Sequence, residues 1–381
     1  MTINSEELRL QVFEHLEILG IIFDDEGQIT LPEMTKEFVK KLHEPATKAE
    51  LAKAHKWISS NLRHYHSFFA NGRDVKVCEI KPKLILVTEA WQNDLWRLAR
   101  YTWFLPYSQG YGRRMRYLVM DESNDKLIGI FALQSPPIGF PARDRLFTYQ
   151  SGQEKTALVN QTMDLHTLGA IMPYSRLLGG KLIALAAASN EVRSDYREKY
   201  QDRVTEIEGR QLPAELVALT TTSAFGRSSL YNRLKYKGEW IAKSLGYTEG
   251  YGHFHLEELY PFFNQYLEEQ GVCVKHGYGT GPRRKWQIIR TALHRLGIRA
   301  DLLKHGIKRE AFIFPLIHNL DSYMNQEAIE IEQRELPFLE LAAFWRDERL
   351  FPRAEKFCDW QDWEKEYYFN RLLNSNCNQE E

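Results

Sequence analysis

Between Val272 and Ala311 the chain carries ten basic residues against only Asp301 and Glu310, a net charge of +8. Cations at that density suit a phosphate backbone, because each phosphate neutralised releases counterions. Ile288, Ile289, Ala292, Leu293 and Leu296 recur at helical spacing, so one apolar stripe anchors a helix and leaves Arg290, His294 and Arg295 on its other faces. The lead-in from Gly277 to Trp286 combines glycines, Arg283, Arg284 and Lys285 with two aromatic rings, a composition that can approach a phosphate chain and stack on bases. The candidate contacts are Arg283, Arg284, Lys285, Trp286, Arg290, Arg295, Lys304, Lys308 and Arg309, with DNA the expected partner and RNA the alternative. The competing reading is self-pairing, since residues 327–381 hold fourteen acidic and seven basic residues, a net −7.

Two strand-to-helix turns offer small-molecule chemistry. In the first, Arg176-Leu-Leu-Gly-Gly-Lys181, a helix start presents unpaired N–H groups, and Gly179 and Gly180 leave room for a ligand or for a neighbouring strand. In the second, Thr220-Thr-Thr-Ser-Ala-Phe-Gly-Arg-Ser-Ser229, hydroxyls and an arginine can hold a phosphate, or Ser223 and Ser228 serve only as helix caps. Tyr231, one turn further on, is a candidate general acid or a core tyrosine. The paired charges of Ala142-Arg-Asp-Arg145 read as a buried structural ion pair. No zinc-protease, zinc-deaminase, nucleophile-elbow or P-loop pattern is present, and no metal is expected.

The elements that must position these residues read as an α+β (mixed) fold. Residues 1–75 form an N-terminal helical module. A strand at 82–87, a helix from Trp91 and a hairpin of 116–120 with 127–133 follow. Residues 163–172 read as a strand leading into a helix through Ala188, and residues 216–222 as a strand leading into a helix from Ser223. Residues 311–317 read as a strand returning to the same sheet, which makes 253–310 a helical insertion in a core of 76–320. Residues 321–381 form an acidic helical tail.

Composition sets the outer limits. The 381 residues are 43% hydrophobic, enough for a substantial core, and 50 Lys+Arg nearly cancel 51 Asp+Glu. A uniformly basic binder is thereby excluded, though segregated charge is not. Cys78, Cys273, Cys358 and Cys377 form no metal or disulfide framework. The longest apolar run, Leu182–Ala188, is far short of the ~20 residues a membrane span needs. A soluble cytoplasmic protein with no membrane partner is expected.

Several motifs in order are similar to the DruA family of the Druantia anti-phage systems. They are Tyr117-Leu-Val with Leu127-Ile-Gly, Ala142-Arg-Asp144, Tyr174-Ser-Arg-Leu-Leu-Gly-Gly-Lys-Leu182, Leu219-Thr-Thr-Thr-Ser-Ala-Phe-Gly226 with Leu230-Tyr-Asn-Arg233, and Gly279-Thr-Gly-Pro282 through Leu303-Lys-His-Gly-Ile307. The resemblance covers about residues 80–320 and implies a role in defence alongside other defence proteins. Element order also resembles GNAT-type acyltransferases, whose [Q/R]-x-x-G-x-[G/A] turn binds the coenzyme A pyrophosphate. Arg176, Gly179 and Gly180 fit that pattern up to its last place, where Lys181 departs from it. The GNAT likeness implies an acetyl-coenzyme A site with Tyr231 as acid. Three functions follow in order: nucleic-acid binding by the basic helix, acyl transfer, and a non-catalytic scaffold binding partners through the acidic end with Trp345, Trp360 and Trp363. A reaction, if there is one, would be acyl transfer or nucleic-acid processing.

Overall fold

The computed structural model describes residues 4–18, 21–23, 29–30, 35–106, 109–204, 209–211, 213–224, 226–249, 256–272, 282–299 and 307–374. In chain order these form α1 (Ser5–Ile18), β1 (Ile22–Phe23), β2 (Ile29–Thr30), α2 (Lys36–Tyr65), β3 (Pro82–Leu86), α3 (Ala90–Tyr101), β4 (Arg114–Asp121) and β5 (Lys126–Gln134). Next come α4 (Pro141–Asp144), α5 (Gly152–Asn160), β6 (Thr162–Ala170), α6 (Gly179–Ala187), α7 (Asn190–Tyr200) and β7 (Ala218–Thr222). The rest are β8 (Lys235–Tyr236), β9 (Glu239–Trp240), β10 (Lys243–Tyr247), α8 (Tyr260–Glu269), α9 (Pro282–Arg295), β11 (Glu310–Pro315), α10 (Leu320–Met324), α11 (Phe338–Trp345), α12 (Phe351–Lys356) and α13 (Glu366–Leu373). Two compact units result. One comprises residues 1–50, 104–106 and 249–308, and the other comprises 51–103, 107–248 and 309–381.

The larger unit is mixed α/β. Its seven-stranded sheet runs β10-β11-β7-β6-β5-β4-β3. Every neighbouring pair is antiparallel except β6 and β7, which pair in parallel at Thr162–Ala218, Met163–Leu219 and Asp164–Thr220. Leu127 to Leu133 is buried throughout, the continuous apolar run of a strand covered on both faces. On one face α6, α7 and α11 pack over Tyr117, Phe131, Leu165 and Phe312. On the other, α3, α13 and the α2 residues from Leu51 onward cover Leu118, Ile130 and Ala132. The strand at 310–315 does return to this sheet, between β7 and β10.

The expected helix from Ser223 does not form. Ser228 caps a single turn rather than a helix, and Glu310, distant in sequence, pins that turn. Ser228 Oγ accepts from Leu230 N at 3.2 Å and Tyr231 N at 3.3 Å, and the Glu310 carboxylate accepts from Ser228 N at 3.1 Å and Asn232 Nδ2 at 2.9 Å. Arg233 then turns into the positive-φ region, and a β8–β9 hairpin follows. Its two loop residues, Lys237 and Gly238, both have positive φ, as a primed hairpin turn requires. Strand β10, unforeseen from sequence, comes next.

The acidic carboxyl-terminal stretch is stitched into the larger unit. Trp345 is fully buried and its Nε1 donates to Leu178 O at 3.0 Å. Trp360 is buried, and Trp363 packs edge-on against Tyr368. Trp345→Ala therefore removes a large core side chain and is expected to cost about 3–5 kcal/mol. The check is denaturant unfolding of the full chain; a stability equal to wild type would show that this stretch is dispensable to the core.

Candidate functional site

In the smaller unit α8 and α9 pack against each other. On α9 the side chains of Ile288, Ile289, Ala292, Leu293 and Leu296 are buried, whereas Lys285, Arg290, His294 and Arg295 are exposed. This division follows from helical periodicity, because the apolar stripe can leave water only on one side. The helix stops by a Schellman motif. Gly297, at φ +70°, donates to His294 O at 3.2 Å and Ile298 donates to Leu293 O at 2.8 Å. Arg9 Nη1 adds a bond to Leu296 O at 3.2 Å. At the other end Lys285 Nζ lies 5.7 Å from the Tyr260 ring centre. Trp286 is half-buried, while Arg299 and Lys308 are exposed. Arg309 begins the return into the larger unit, and burial lowers its pKa. The side chains of Arg283 and Arg284, all of Lys304, and the glycine-rich lead-in before Pro282 lie outside the described residues.

The Arg176–Lys181 turn is occupied by the protein itself. A Cβ on Gly179 would fall 2.7 Å from Tyr174 O and 2.9 Å from Ala170 Cβ, so its glycine permits close backbone approach. Gly180 faces Leu230 in the same way, at 3.1 Å. Gly179 N donates to Tyr174 O and Lys181 N to Leu178 O, both at 2.9 Å. Lys181 Nζ donates to the carbonyls of Ser229 (2.9 Å), Leu230 (2.6 Å) and Asn232 (3.0 Å). Burial, then the charges of Arg349 and Arg233, lowers its pKa to about 8. Arg176 pairs instead with Asp359 at 3.3 Å. These residues do not fit a coenzyme A pyrophosphate. Tyr231 is core, packed on Phe312 and Phe314 at 5.0 and 5.7 Å between ring centres. Burial pushes its phenol up to about 12, and a hydrogen bond with Thr221 opposes that rise.

Sequence reasoning passed over a polar group on the β5–β6–β7 face. Gln134, Asp164 and Thr220 are successive cross-strand partners, and Gln134 Nε2 donates to Asp164 Oδ2 at 2.8 Å. Beside them Arg143 is fully buried. It grips Asp144 Oδ1 through Nε (3.0 Å) and Nη2 (2.6 Å), while Lys155 holds Asp144 Oδ2 at 2.8 Å. The expected ion pair is thus in place. Among the described residues Arg143 Nη1 and Thr220 Oγ1 are buried without a hydrogen-bond partner. Gly110 passes over the group, so close that a Cβ there would lie 3.0 Å from His166 Nε2. Burial, then Arg100 and Arg116, lowers the His166 pKa to about 4 and keeps the ring neutral. Burial raises the Asp164 carboxyl to about 6, against the pull of Gln134 and Arg143. Such a group exchanges a proton close to neutrality. The available signal was Asp164-Leu-His166, two titratable side chains two apart on a strand.

A family model described as "Druantia protein DruA" matches residues 33–326. The chain belongs to the DruA family. Druantia protein DruA of Escherichia coli (strain UMEA 4076-1) is 40% identical over 328 residues, covering 85% of this chain and 81% of that protein. No solved structure matches. The chain is thus a DruA-like protein of Druantia anti-phage defence. Among the described residues no His, Cys, Asp or Glu group is placed to hold a metal ion, and no helix is long and apolar enough to cross a membrane.

The native state binds a proton at Asp164 more tightly than the unfolded chain, whose carboxyl titrates near 3.8. Stability from this residue is therefore present below about pH 4 and lost as pH rises through about 6. Relative to Asp164→Asn, the wild type should lose stability between pH 4 and 7. Paired denaturant titrations measure it, and a pH-independent difference would show an ordinary exposed carboxylate.

Proposed function

We propose that this DruA-like chain is the nucleic-acid-binding component of a Druantia defence assembly, working in the cytoplasm beside other defence proteins and contacting DNA through α9. The observation that carries the reading is the one-sided helix. Its apolar side chains are buried, Lys285, Arg290, His294 and Arg295 face water, and α9 itself contains no acidic residue. Self-pairing with the acidic end has less to draw on, because Asp359, Glu364, Glu366 and Glu340 already meet Arg176, Arg73, His66 and Lys237. Contacts of this kind bind phosphates and carry no sequence information by themselves.

The scaffold is best read as GNAT-like. Support comes from a hairpin followed by a parallel pair and a last strand inserted beside β7. The scaffold alone implies no reaction. The occupied turn at Gly179 and Lys181 leaves acyl transfer as the weaker reading.

Fluorescence anisotropy with a labelled DNA duplex at several salt concentrations tests the proposal. Wild type should bind with a steep salt dependence. A Lys285→Glu, Arg290→Glu, Arg295→Glu variant should lose more than tenfold in affinity, and the slope of log K against log salt should flatten by about 3. Because all three side chains are exposed, the fold should survive. Equal binding by both proteins, or none by either, would overturn the reading; tighter binding to single-stranded RNA would move it to that polymer.

A further inference from the structure

The larger unit contains a cavity of about 330 Å³ where β3 gives way to α3, lined by Thr88, Glu89, Asn93, Arg114, Arg116 and Lys199 among others. Its cations come from two distant segments. Arg114 and Arg116 alternate on one face of β4, and Lys199 stands in the last turn of α7. The Arg116 guanidinium is held in place over the Trp96 ring, 4.7 Å from its centre, by hydrogen bonds to Asn93 Oδ1 and Gln109 O (3.3 Å to the latter). Lys199 Nζ donates to the backbone carbonyl of Arg114 at 2.9 Å. No carboxylate lies within ion-pair distance of Arg114, Arg116 or Lys199 among the described residues.

Glu89, the acidic residue of the lining, accepts from Trp91 Nε1 at 2.7 Å through Oε2 and keeps its charge, so the lining is net +2. Gln92 Oε1 takes the backbone N–H groups of Thr88 and Glu89, at 2.8 and 3.1 Å, which fixes the chain at the cavity's edge. Three cations thus share one concavity with one engaged carboxylate. Burial, followed by the charges of Arg203 and Arg114, lowers the Lys199 pKa. Like charges held together in this way repel, and an anion between them relieves the repulsion. The planar guanidiniums suit paired oxygens, while Lys199 supplies a point charge. A volume of about 330 Å³ exceeds a lone phosphate and falls within the range of small-ligand sites.

We propose that this cavity binds the phosphomonoester dianion of a nucleotide-sized ligand, either a free nucleotide or the terminal phosphate of a nucleic-acid strand. A lining with a net charge of +2 favours a dianion over the single charge of an internal phosphodiester. The cavity lining shares no residue with α9, and the proposal stands whether or not α9 binds nucleic acid.

Calorimetric titration of the full chain with adenosine 5′-monophosphate, and with adenosine as its phosphate-free counterpart, is the test. The nucleotide should bind and adenosine should not. Arg114→Gln with Lys199→Gln should weaken the nucleotide at least tenfold, whereas the α9 triple variant should bind it as wild type does. Acetylation of Lys199 in the unmodified protein gives a second readout, in which adenosine 5′-monophosphate should protect the amine and adenosine should not. Oligonucleotides with and without a 5′-phosphate distinguish the sources. Protection by the phosphorylated strand alone assigns the site to a strand end, and protection by the nucleotide alone assigns it to a free nucleotide. No protection of Lys199 by any phosphorylated probe, or equal protection by each probe with and without its phosphate, would overturn the proposal.

Discussion

Three residue pairs hold the central sheet together. Among the described residues the antiparallel strands β3 to β6 join the group β7, β11 and β10 through the parallel register of Thr162, Met163 and Asp164 with Ala218, Leu219 and Thr220. Beyond Asp164 the pairing with β7 ends, and Thr221 Oγ1 spans to Leu165 O at 2.7 Å. A register shift opposite Ala132 and Leu133 bends β6 at the same place. So short a seam cannot be held by ladder bonds alone, and it is clamped by packing on both faces. Met163, Leu165 and Leu219 are buried on one, Val217 and Ile313 on the other. The polar group of Gln134, Asp164 and Thr220 lies in this seam, as cross-strand partners on β5, β6 and β7.

Charge is partitioned by structure as well as by sequence. The acidic carboxyl-terminal stretch engages partners inside the larger unit, and its tryptophans serve as core. On α9 the periodicity that buries isoleucine and leucine leaves arginine and lysine facing water. A net charge near zero therefore coexists with locally strong positive surfaces, which is the condition for binding a polyanion without a basic protein overall.

Most strands were legible because apolar runs such as Leu127–Leu133 are long and bounded by turn residues. Strand β10 was not, since Lys243-Ser-Leu-Gly-Tyr247 is mostly exposed and has a positive-φ glycine in its middle. The helix expected after β7 failed for a non-local reason. Glu310, some eighty residues later, supplies the carboxylate that holds the turn. The same distinction governs the candidate sites. The cations of α9 fall within one helix and could be read directly. Asp164 with Gln134, and Arg114 with Lys199, come together only when strands and helices distant in sequence are paired, and no local pattern announces that.

We propose that α9 touches nucleic acid. Photo-crosslinking of the full chain to a DNA duplex, with the attached peptides mapped by mass spectrometry, addresses it most directly. Crosslinks should concentrate on residues 282–299, foremost at Lys285, Arg290 and Arg295, and should fade as salt is raised. Crosslinks that leave this helix untouched while marking other parts of the chain would rule out that contact.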